Sequence, residues 1–279
     1  MDGRPIILWF RRDLRTGDNP ALAAAAEAGA PVLPIYVHDQ DTGRAIGGAG
    51  RWWLHHSLVA LGTSLARLGA PLLLRRGATV SVLTEWARTT SAGSVFWNEN
   101  YDPAESETEA ALRAALAAIG VEARAFAGAT LLHEPPHTVR AATGRAFQVF
   151  APFWRACAAR DAAGPPLPAP AALRGSSAPS AGESIDDWSL LPTKPDWAAG
   201  LRESWRPGED EAAARLARFR ATGLHGYDRG RDHPGRDGTS LLSPHLRFGE
   251  ISVRQIWHAL RAENGAGAAA FRRELGWRE

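Results

Sequence analysis

The chain has 279 residues, 45% of them hydrophobic and 22% charged, and its formal net charge at pH 7 is +2. That length suits one large domain or two of medium size, with a core that needs no disulfide or metal staples. The single cysteine, Cys157, excludes an intramolecular disulfide and any site built from several thiolates, and no apolar run reaches the length of a membrane span. We therefore expect a cytoplasmic protein that binds neither a metal nor a membrane.

Short apolar runs alternate with helical patterns through the first part of the chain. Asp18, followed by Pro20 and an alanine-rich stretch ending at Gly29, predicts a helix with an N-cap, a first-turn proline and a terminal glycine. A second, longer helix is predicted by leucines spaced by four and three: Leu54, Leu58, Leu61, Leu65 and Leu68. The predicted strands are 6–10, 32–37, 72–74, 95–97 and 121–126, with further helices at 80–87 and 104–119. This order indicates an α/β fold, a doubly wound parallel sheet with helices on both faces.

The remainder of the chain shows no strand pattern. Residues 164–183 are mainly alanine, proline, glycine and serine, a composition typical of a surface linker. After Pro207 the pattern is helical, with a capping box at Ser252 and Gln255 and a last helix beginning near Ala268. We therefore predict three parts: an α/β domain at 1–130, an interdomain linker at 131–206, and the start of an all-α domain at 207–279.

Two known site patterns, a zinc-binding HExxH motif and a phosphate-binding P-loop, can be excluded from the sequence. His133-Glu134-Pro135-Pro136-His137 matches the HExxH zinc-protease pattern, but its two prolines forbid the helix that would bring both histidines to one face. A loop is expected there instead. A phosphate-binding P-loop needs a lysine before serine or threonine, whereas the only lysine, Lys194, precedes a proline. His55 and His56 lie within the long helix, so only one of them can face the core.

Arginines cluster where the first strand ends. Arg11, Arg12 and Arg15 follow Trp9-Phe10 at the carboxyl edge of the predicted sheet, where doubly wound folds place ligands. They can hold an anion or form salt bridges across a domain interface. The residue types favour the interface.

The segment 227–243 is the richest in polar chemistry. It contains three arginines, a tyrosine, and the hydroxyls of Thr239, Ser240 and Ser243. Hydroxyl and backbone N–H groups of this kind can bind a phosphate, and the arginines suit a polyanion. A capped, solvated loop before a helix explains the same residues equally well.

The segment 271–279 combines charges with an aromatic ring. Glu274 and Arg278 have the i, i+4 spacing of a helix-stabilising ion pair. Trp277 lies beside Arg278, an arrangement that also suits stacking on a nucleic-acid base. The residues alone are compatible with either role.

Together, four segments resemble the DNA photolyase and cryptochrome family, and the resemblance spans nearly the whole chain. The segments are 8–15 with the following Asp18-Asn19, then 149–154, 227–252 and 274–279. The third is highly specific, since Thr-Ser-Leu-Leu-Ser-Pro-His-Leu-Arg-Phe-Gly-Glu-Ile-Ser runs unbroken from Thr239 to Ser252. The second departs at Ala151, where the family usually has threonine. The chain looks most like a cyclobutane pyrimidine dimer photolyase.

The resemblance implies an N-terminal antenna domain, a long linker and a helical FAD-binding domain. The residues that would contact FAD are Tyr227, Thr239, Ser240, Leu241, Leu242, Ser243, Phe271, Glu274 and Arg278. Those that would contact DNA are Arg231, Glu274, Trp277 and Arg278. Glu274 and Trp277 are the expected catalytic residues, Trp277 by stacking on the flipped lesion and Glu274 by hydrogen bonding to the pyrimidine edge. Phe271 occupies a position that often holds tryptophan in the family.

The implied function is light-dependent repair of UV-damaged DNA. Reduced FAD, excited by blue or near-UV light, gives an electron to a cyclobutane pyrimidine dimer, the ring splits and the electron returns. A damaged, poorly stacked pair lowers the cost of flipping the dimer out of the duplex. A second pigment, a folate or a deazaflavin, is expected in the α/β domain, with Asn98-Glu99-Asn100-Tyr101 as a candidate cleft wall. We expect the protein to act as a monomer.

Two alternatives stay open. A cryptochrome-like blue-light photoreceptor would reduce its flavin in light without removing dimers, and glutamate rather than glutamine at Glu274 favours repair. The other alternative is an inactive remnant that folds only as the α/β domain, since the sequence stops within a predicted helix at Glu279 while family members continue. On that basis we expect residues 1–279 alone to bind FAD poorly and to repair little.

Overall fold

One parallel sheet organises the first half of the chain. A computed structural model describes residues 3–40, 45–128, 131–160, 164–176 and 182–279. The strands are β1 (Ile6–Phe10), β2 (Val32–His38), β3 (Leu73–Arg76), β4 (Ser94–Asn98) and β5 (Glu122–Phe126), in the spatial order β3-β2-β1-β4-β5. The predicted doubly wound parallel sheet is confirmed, and every strand lies within two residues of its predicted bounds.

Helices cover both faces of this sheet. They are α1 (Pro20–Glu27), α2 (Gly48–Leu68), α3 (Thr79–Thr89) and α4 (Pro103–Ala117). The central strand β1 is buried along its whole length, and its alternate side chains serve two separate cores. Ile6, Leu8 and Phe10 pack with α1 and α2, while Ile7 and Trp9 pack with α3 and α4.

The first helix begins one residue later than its predicted cap. Asn19 caps α1, since its side chain accepts a hydrogen bond from the N–H of Leu22 at 3.0 Å. Asp18, the predicted cap, has a left-handed backbone with φ of 52° and pairs with Arg254 instead. The local pattern does not reveal this, because the partner of Asp18 is distant in the sequence.

The second half of the chain is helical, as predicted. Its helices are α5 (Phe150–Ala158), α6 (Ala199–Ser204), α7 (Glu209–Thr222), α8 (Tyr227–Gly230), α9 (Ser243–Phe248), α10 (Val253–Ala259) and α11 (Ala266–Arg278). The capping box is present at the start of α10, where the side chains of Ser252 and Gln255 each accept from the other's backbone N–H. Among the described helices, none is both long and apolar enough to cross a bilayer.

The segment 164–183 does not behave as a free surface linker. Leu173 is buried in the core beside α2, and its N–H donates to the carbonyl of Leu68 at 2.6 Å. Gly175 forms a parallel bridge with Val32 at the start of β2. Further backbone bonds join Leu167 to Asp18 and Glu183 to Leu74, so the stretch is docked at both ends. Residues 177–181 lie outside the described residues. The segment 131–206 also contains α5 and α6, and the three domain boundaries stay a prediction.

Candidate functional site

A cavity of about 320 Å³ opens at the carboxyl edge of the sheet. Its walls come from the ends of β1 and β2, the start of α2, α4 and the C-terminal end of α9. The indole N–H of buried Trp9 has no hydrogen-bond partner among the described residues. Burial raises the pKa of Tyr36 well above the usual tyrosine value, so this wall presents a neutral phenol. The cavity therefore has the aromatic side chains of Trp9 and Tyr36 in its wall.

The same cavity is rich in arginine. Arg12, Arg51 and Arg247 line it together with the acidic Asp39 and Glu105. Arg12 makes two long ion pairs, with Glu105 at 3.4 Å and with Asp102 at 3.8 Å. Burial and then the charge of Arg12 lower the pKa of Arg247, so the two guanidinium groups lie close enough to repel each other. Such a cluster suits an anionic ligand.

None of the residues Asn98–Tyr101, the predicted cleft wall, lines this cavity. The side chain of Asn98 instead donates to Asp13 at 2.6 Å and to Asn19 at 2.7 Å. The side-chain oxygen Oδ1 of Asn98 accepts a hydrogen bond from the backbone N–H of Ala21 at 2.9 Å. Because all of these bonds are buried, Asn98 ties β4 to the start of α1 rather than facing a ligand.

The arginines after β1 have different roles. Arg11 pairs with Glu105 at 2.9 Å and with Glu109 at 2.6 Å, so it ties β1 to α4 within the α/β part. Arg15 is fully buried and donates to the carbonyl of Gly249 at 2.9 Å, which joins the sheet to the helical part. Arg15 therefore lies where the interface was expected and binds a backbone carbonyl there. A salt bridge across the interface stays a prediction for it, and Arg11 pairs within the α/β part.

A buried carboxylate, Glu250, is the centre of this interface. One of its oxygens accepts hydrogen bonds from Trp53 at 3.2 Å, from Gly208 at 2.7 Å and from the hydroxyl of Ser57. The other oxygen lies 2.5 Å from Nδ1 of His245. Glu250 thus connects α2, the start of α7 and α9, a role that no local sequence signal indicated.

The predicted flavin residues divide into a buried and a surface group. Tyr227, Leu242 and Phe271 are buried in the helical core, where Phe271 contacts the ring of Tyr227 at 5.1 Å between centroids. Thr239, Ser240 and Leu241 lie at the surface just ahead of α9, and exposed Ser243 is the first residue of that helix. Leu241 has a left-handed backbone, with φ of 53°, and is 41% exposed.

Glu274 and Arg231, predicted separately as site residues, meet in the structure. Arg231 donates to the Glu274 carboxylate, and its guanidinium lies 5.6 Å from the ring centre of Tyr227. This hydrogen bond raises the pKa of Arg231 above its already high usual value. Arg278 donates to the carbonyl of Leu246 at 3.2 Å. The Glu274 carboxylate therefore pairs with Arg231, 43 positions earlier and directly after α8, rather than with a residue of α11.

Trp277 lies on the outside of α11, with 63% of its surface exposed. One face of its indole is stacked on Phe150, with ring centroids 3.7 Å apart and planes within 7°. Sequence reasoning noted Phe150 only as part of a family segment and assigned it no role. The sequence signal that could have identified Phe150 is its i, i+4 spacing to Trp154 on α5.

The HExxH-like string has a local structural role. Residues 133–135 lie in a loop, and 136–138 form a single 3-10 turn. The carboxylate of Glu134 accepts the backbone N–H groups of Gly128 and Leu131. His133 is buried and His137 is exposed, so the two rings do not share a face.

Comparison with known proteins identifies a family relationship. The family model described as DNA photolyase matches residues 6–171. The chain is 43% identical to a deoxyribodipyrimidine photo-lyase of Agrobacterium fabrum, over 99% of this chain and 58% of that protein. It is 36% identical to Cryptochrome-1 of Arabidopsis thaliana, over 94% of this chain and 38% of that protein. The chain thus spans 58% of the length of the first relative and 38% of the length of the second.

Among solved structures, a bacterial class III photolyase from Agrobacterium tumefaciens is similar over the whole chain. The TM-score is 0.94 and the sequence identity 41%, and the match covers 100% of this chain and 58% of that one. The likeness includes both the sheet and the helices that carry Glu274 and Trp277.

Proposed function

The chain belongs to the DNA photolyase family, and on that premise we propose that it acts in light-dependent DNA repair, splitting cyclobutane pyrimidine dimers with FAD. The observation that carries the proposal is the surface formed by Glu274, Trp277 and Arg231. Glu274 and Trp277 lie one turn apart on α11, and Arg231 reaches Glu274 from α8 and the turn that follows it. An open aromatic face, a carboxylate and a cation together suit a flipped-out pyrimidine pair with its phosphate.

The residues ahead of α9 fit the diphosphate of FAD. The hydroxyls of Thr239, Ser240 and Ser243 lie along a stretch that is largely open to solvent and leads into α9. Leu241, within this stretch, has a left-handed backbone. Hydroxyl and backbone N–H donors in such a stretch are the groups that bind phosphate oxygens. We propose that these residues hold the cofactor directly, while buried Leu242 and Phe271 support the wall behind it.

Each side chain has a distinct task in the proposed reaction. The flavin, when bound, supplies the light-driven electron transfer that opens the cyclobutane ring. Trp277 presents its outer face to the dimer and replaces the stacking that the base loses on leaving the duplex. Glu274 holds a hydrogen bond to the pyrimidine edge, and Arg231 keeps that carboxylate in place and attracts the neighbouring phosphate.

We also propose that the cavity at the sheet edge holds an antenna pigment, a folate or a deazaflavin. Its support is the cavity volume of about 320 Å³, the aromatic side chains of Trp9 and Tyr36 in its wall and the arginines around the opening. Pigment extraction after denaturation of the purified chain tests the assignment. Arg247→Gln should reduce the amount of pigment without changing the FAD content.

A cryptochrome-like photoreceptor is the second candidate, favoured by the identity to Cryptochrome-1 of Arabidopsis thaliana. The two functions differ in one measurable outcome. A photolyase removes dimers from DNA in light, whereas a photoreceptor reduces its flavin in light and leaves the dimers intact.

The decisive experiment supplies the full chain with FAD and a thiol reductant, and irradiates a dimer-containing oligonucleotide with blue light. We expect a small loss of dimers, in the light only, and a rate about tenfold lower for Glu274→Gln, equivalent to about 1.4 kcal/mol of the barrier. Glu263→Gln is the matched control, because Glu263 also pairs with an arginine, Arg220 at 2.7 Å, away from this surface. Flavin reduction without any dimer loss would establish the photoreceptor alternative.

A further inference from the structure

The exposed indole of Trp277 has one covered face and one open face. Phe150 lies against the covered face, with ring centroids 3.7 Å apart and planes within 7° of parallel. The remaining surface is 63% exposed, a large value for a tryptophan. An aromatic ring stacked on one side and open on the other is a platform to which a flat ligand can add a third layer.

Helix α5, which carries Phe150, is held against α11 by a close backbone approach. The ring of Trp154 covers Gly276 so tightly that a Cβ at position 276 would lie 2.4 Å from Cε3 of that ring. The other side of the indole meets Trp257 of α10, edge to face, at 6.1 Å. Glycine at 276 therefore allows α5 to sit on α11, and Trp154 fixes where it sits.

The contact between Trp154 and Gly276 also fixes the position of Phe150, because both aromatic residues lie on α5. Phe150 and Trp154 are separated by four residues on one helix face, and their rings are parallel within 7° at 6.3 Å. Gly276 and Trp277 are neighbours on α11. Once Trp154 is seated on Gly276, Phe150 is necessarily beside Trp277. The orientation of the exposed indole is thus set by Phe150, 127 positions earlier in the chain.

We infer that Phe150 is a positioning residue that holds the Trp277 indole in a fixed plane, so that a nucleobase stacks on its outer face. This inference rests on the proposed function for its ligand, a flipped-out pyrimidine. A tryptophan side chain rotates about two bonds, and an unsupported exposed indole would sample several rotamers. Stacking on a base requires one of these rotamers. An indole that is already held in the right plane therefore loses less conformational entropy when the base binds.

The test compares Phe150→Leu, which removes the ring, with Phe150→Tyr, which keeps it. Phe150→Met is a second non-aromatic variant, and Val149→Ala is the control, since Val149 is 64% exposed beside Phe150. The full chain is labelled with 5-fluorotryptophan, and the Trp277 fluorine signal is assigned by its loss in Trp277→Phe. Affinity is measured for an oligonucleotide with one thymine dimer and for its undamaged counterpart, and thermal unfolding is recorded for every variant.

We expect the Trp277 fluorine signal to lose its ring-current shift in the Leu and Met variants and to keep it in the Tyr variant. The Kd for the dimer should rise about fivefold to tenfold in the Leu and Met variants and return to within about twofold in the Tyr variant. Binding of undamaged DNA should change little, because it does not use the open face of Trp277.

Either of two results would overturn the inference. One is a Trp277 signal that is the same in the Leu and wild-type chains. The other is an equal loss of dimer affinity in the Leu and Tyr variants, which would indicate a structural effect of the position. A wild-type chain without any preference for the dimer would instead refute the proposed function, and the fluorine signal would then decide the role of Phe150 by itself.

Discussion

The carboxylate of Asp18 and the guanidinium of Arg254, 236 positions apart, form an ion pair that joins the sheet to the helical part of the chain. One oxygen of Asp18 accepts from Nε at 2.8 Å and from Nη2 at 2.5 Å. Asp18 is fully buried, and its other oxygen accepts from the hydroxyl of Ser252. A buried charge at Asp18 is tolerated because both oxygens of the carboxylate accept hydrogen bonds.

Asp18→Asn should therefore lower the free energy of unfolding by about 3 kcal/mol, since it leaves Arg254 without its counter-charge in a largely buried place. Urea unfolding followed by circular dichroism measures the effect. Asp196→Asn is the control, because Asp196 pairs with Arg202 at 2.6 Å on the exposed surface and should leave the midpoint unchanged. Equal effects of the two substitutions would contradict a special role for the buried pair.

Gly249 lets the end of α9 pass directly over the chain that leaves β1. It has a φ of 70°, and a Cβ there would lie 1.8 Å from the carbonyl oxygen of Arg12. Gly249→Ala should cost about 3 kcal/mol or more, from backbone strain and from the collision. Gly29→Ala isolates the strain, since Gly29 has a φ of 65° and no atom within 4 Å of the added carbon, and should cost about 1 kcal/mol. A Gly249→Ala effect no larger than that of Gly29→Ala would show that the interface relaxes freely.

His55 and His56 on α2 should make stability depend on pH. Burial lowers the pKa of both imidazoles below the usual value of 6.5. As the pH falls past that value, the unfolded chain binds protons that the folded chain does not, so the folded state loses stability on the acid side. Unfolding free energies between pH 7.5 and 5.5 should decline less steeply in His55→Gln and in His56→Gln than in the wild type. An identical slope in all three chains would show that neither imidazole contributes.

Gly276→Ala should separate helix propensity from packing. Alanine normally stabilises a helix relative to glycine by about 1 kcal/mol. At position 276 the added carbon would lie 2.4 Å from the Trp154 ring, so we expect a lower melting temperature. Gly200→Ala is the matched control, because Gly200 is on α6 with nothing within 4 Å and should gain slightly. A gain in stability for Gly276→Ala would show that α5 moves away from α11 without cost.

Local elements were predictable because each depends on residues close together in the sequence. The apolar run at 6–10 predicted a buried strand and the capping box at Ser252 and Gln255 predicted the start of α10, and both are confirmed. Such patterns reflect side-chain periodicity and hydrogen bonds within one turn, which need no information about the rest of the chain. The predicted cap at Asp18 was wrong because a remote arginine competes for its carboxylate.

The candidate site was predictable only in its parts. The motifs identified Glu274, Trp277 and Arg231 by residue type, and the roles of these residues stay proposals. That Arg231 meets Glu274, and that Phe150 lies under Trp277, depends on how α5, α8 and α11 pack. Helix packing is decided by contacts such as Trp154 on Gly276, which join distant segments and leave no periodic signal in either one.

The sequence by itself thus determined the order of strands and helices, the family and the residue types at the candidate site. Only the tertiary structure decided which charges are paired and which aromatic face is open. The physical reason is that secondary structure follows from neighbours along the chain, whereas the partner of Asp18, Glu250 or Trp277 is selected by burial of segments far apart in sequence.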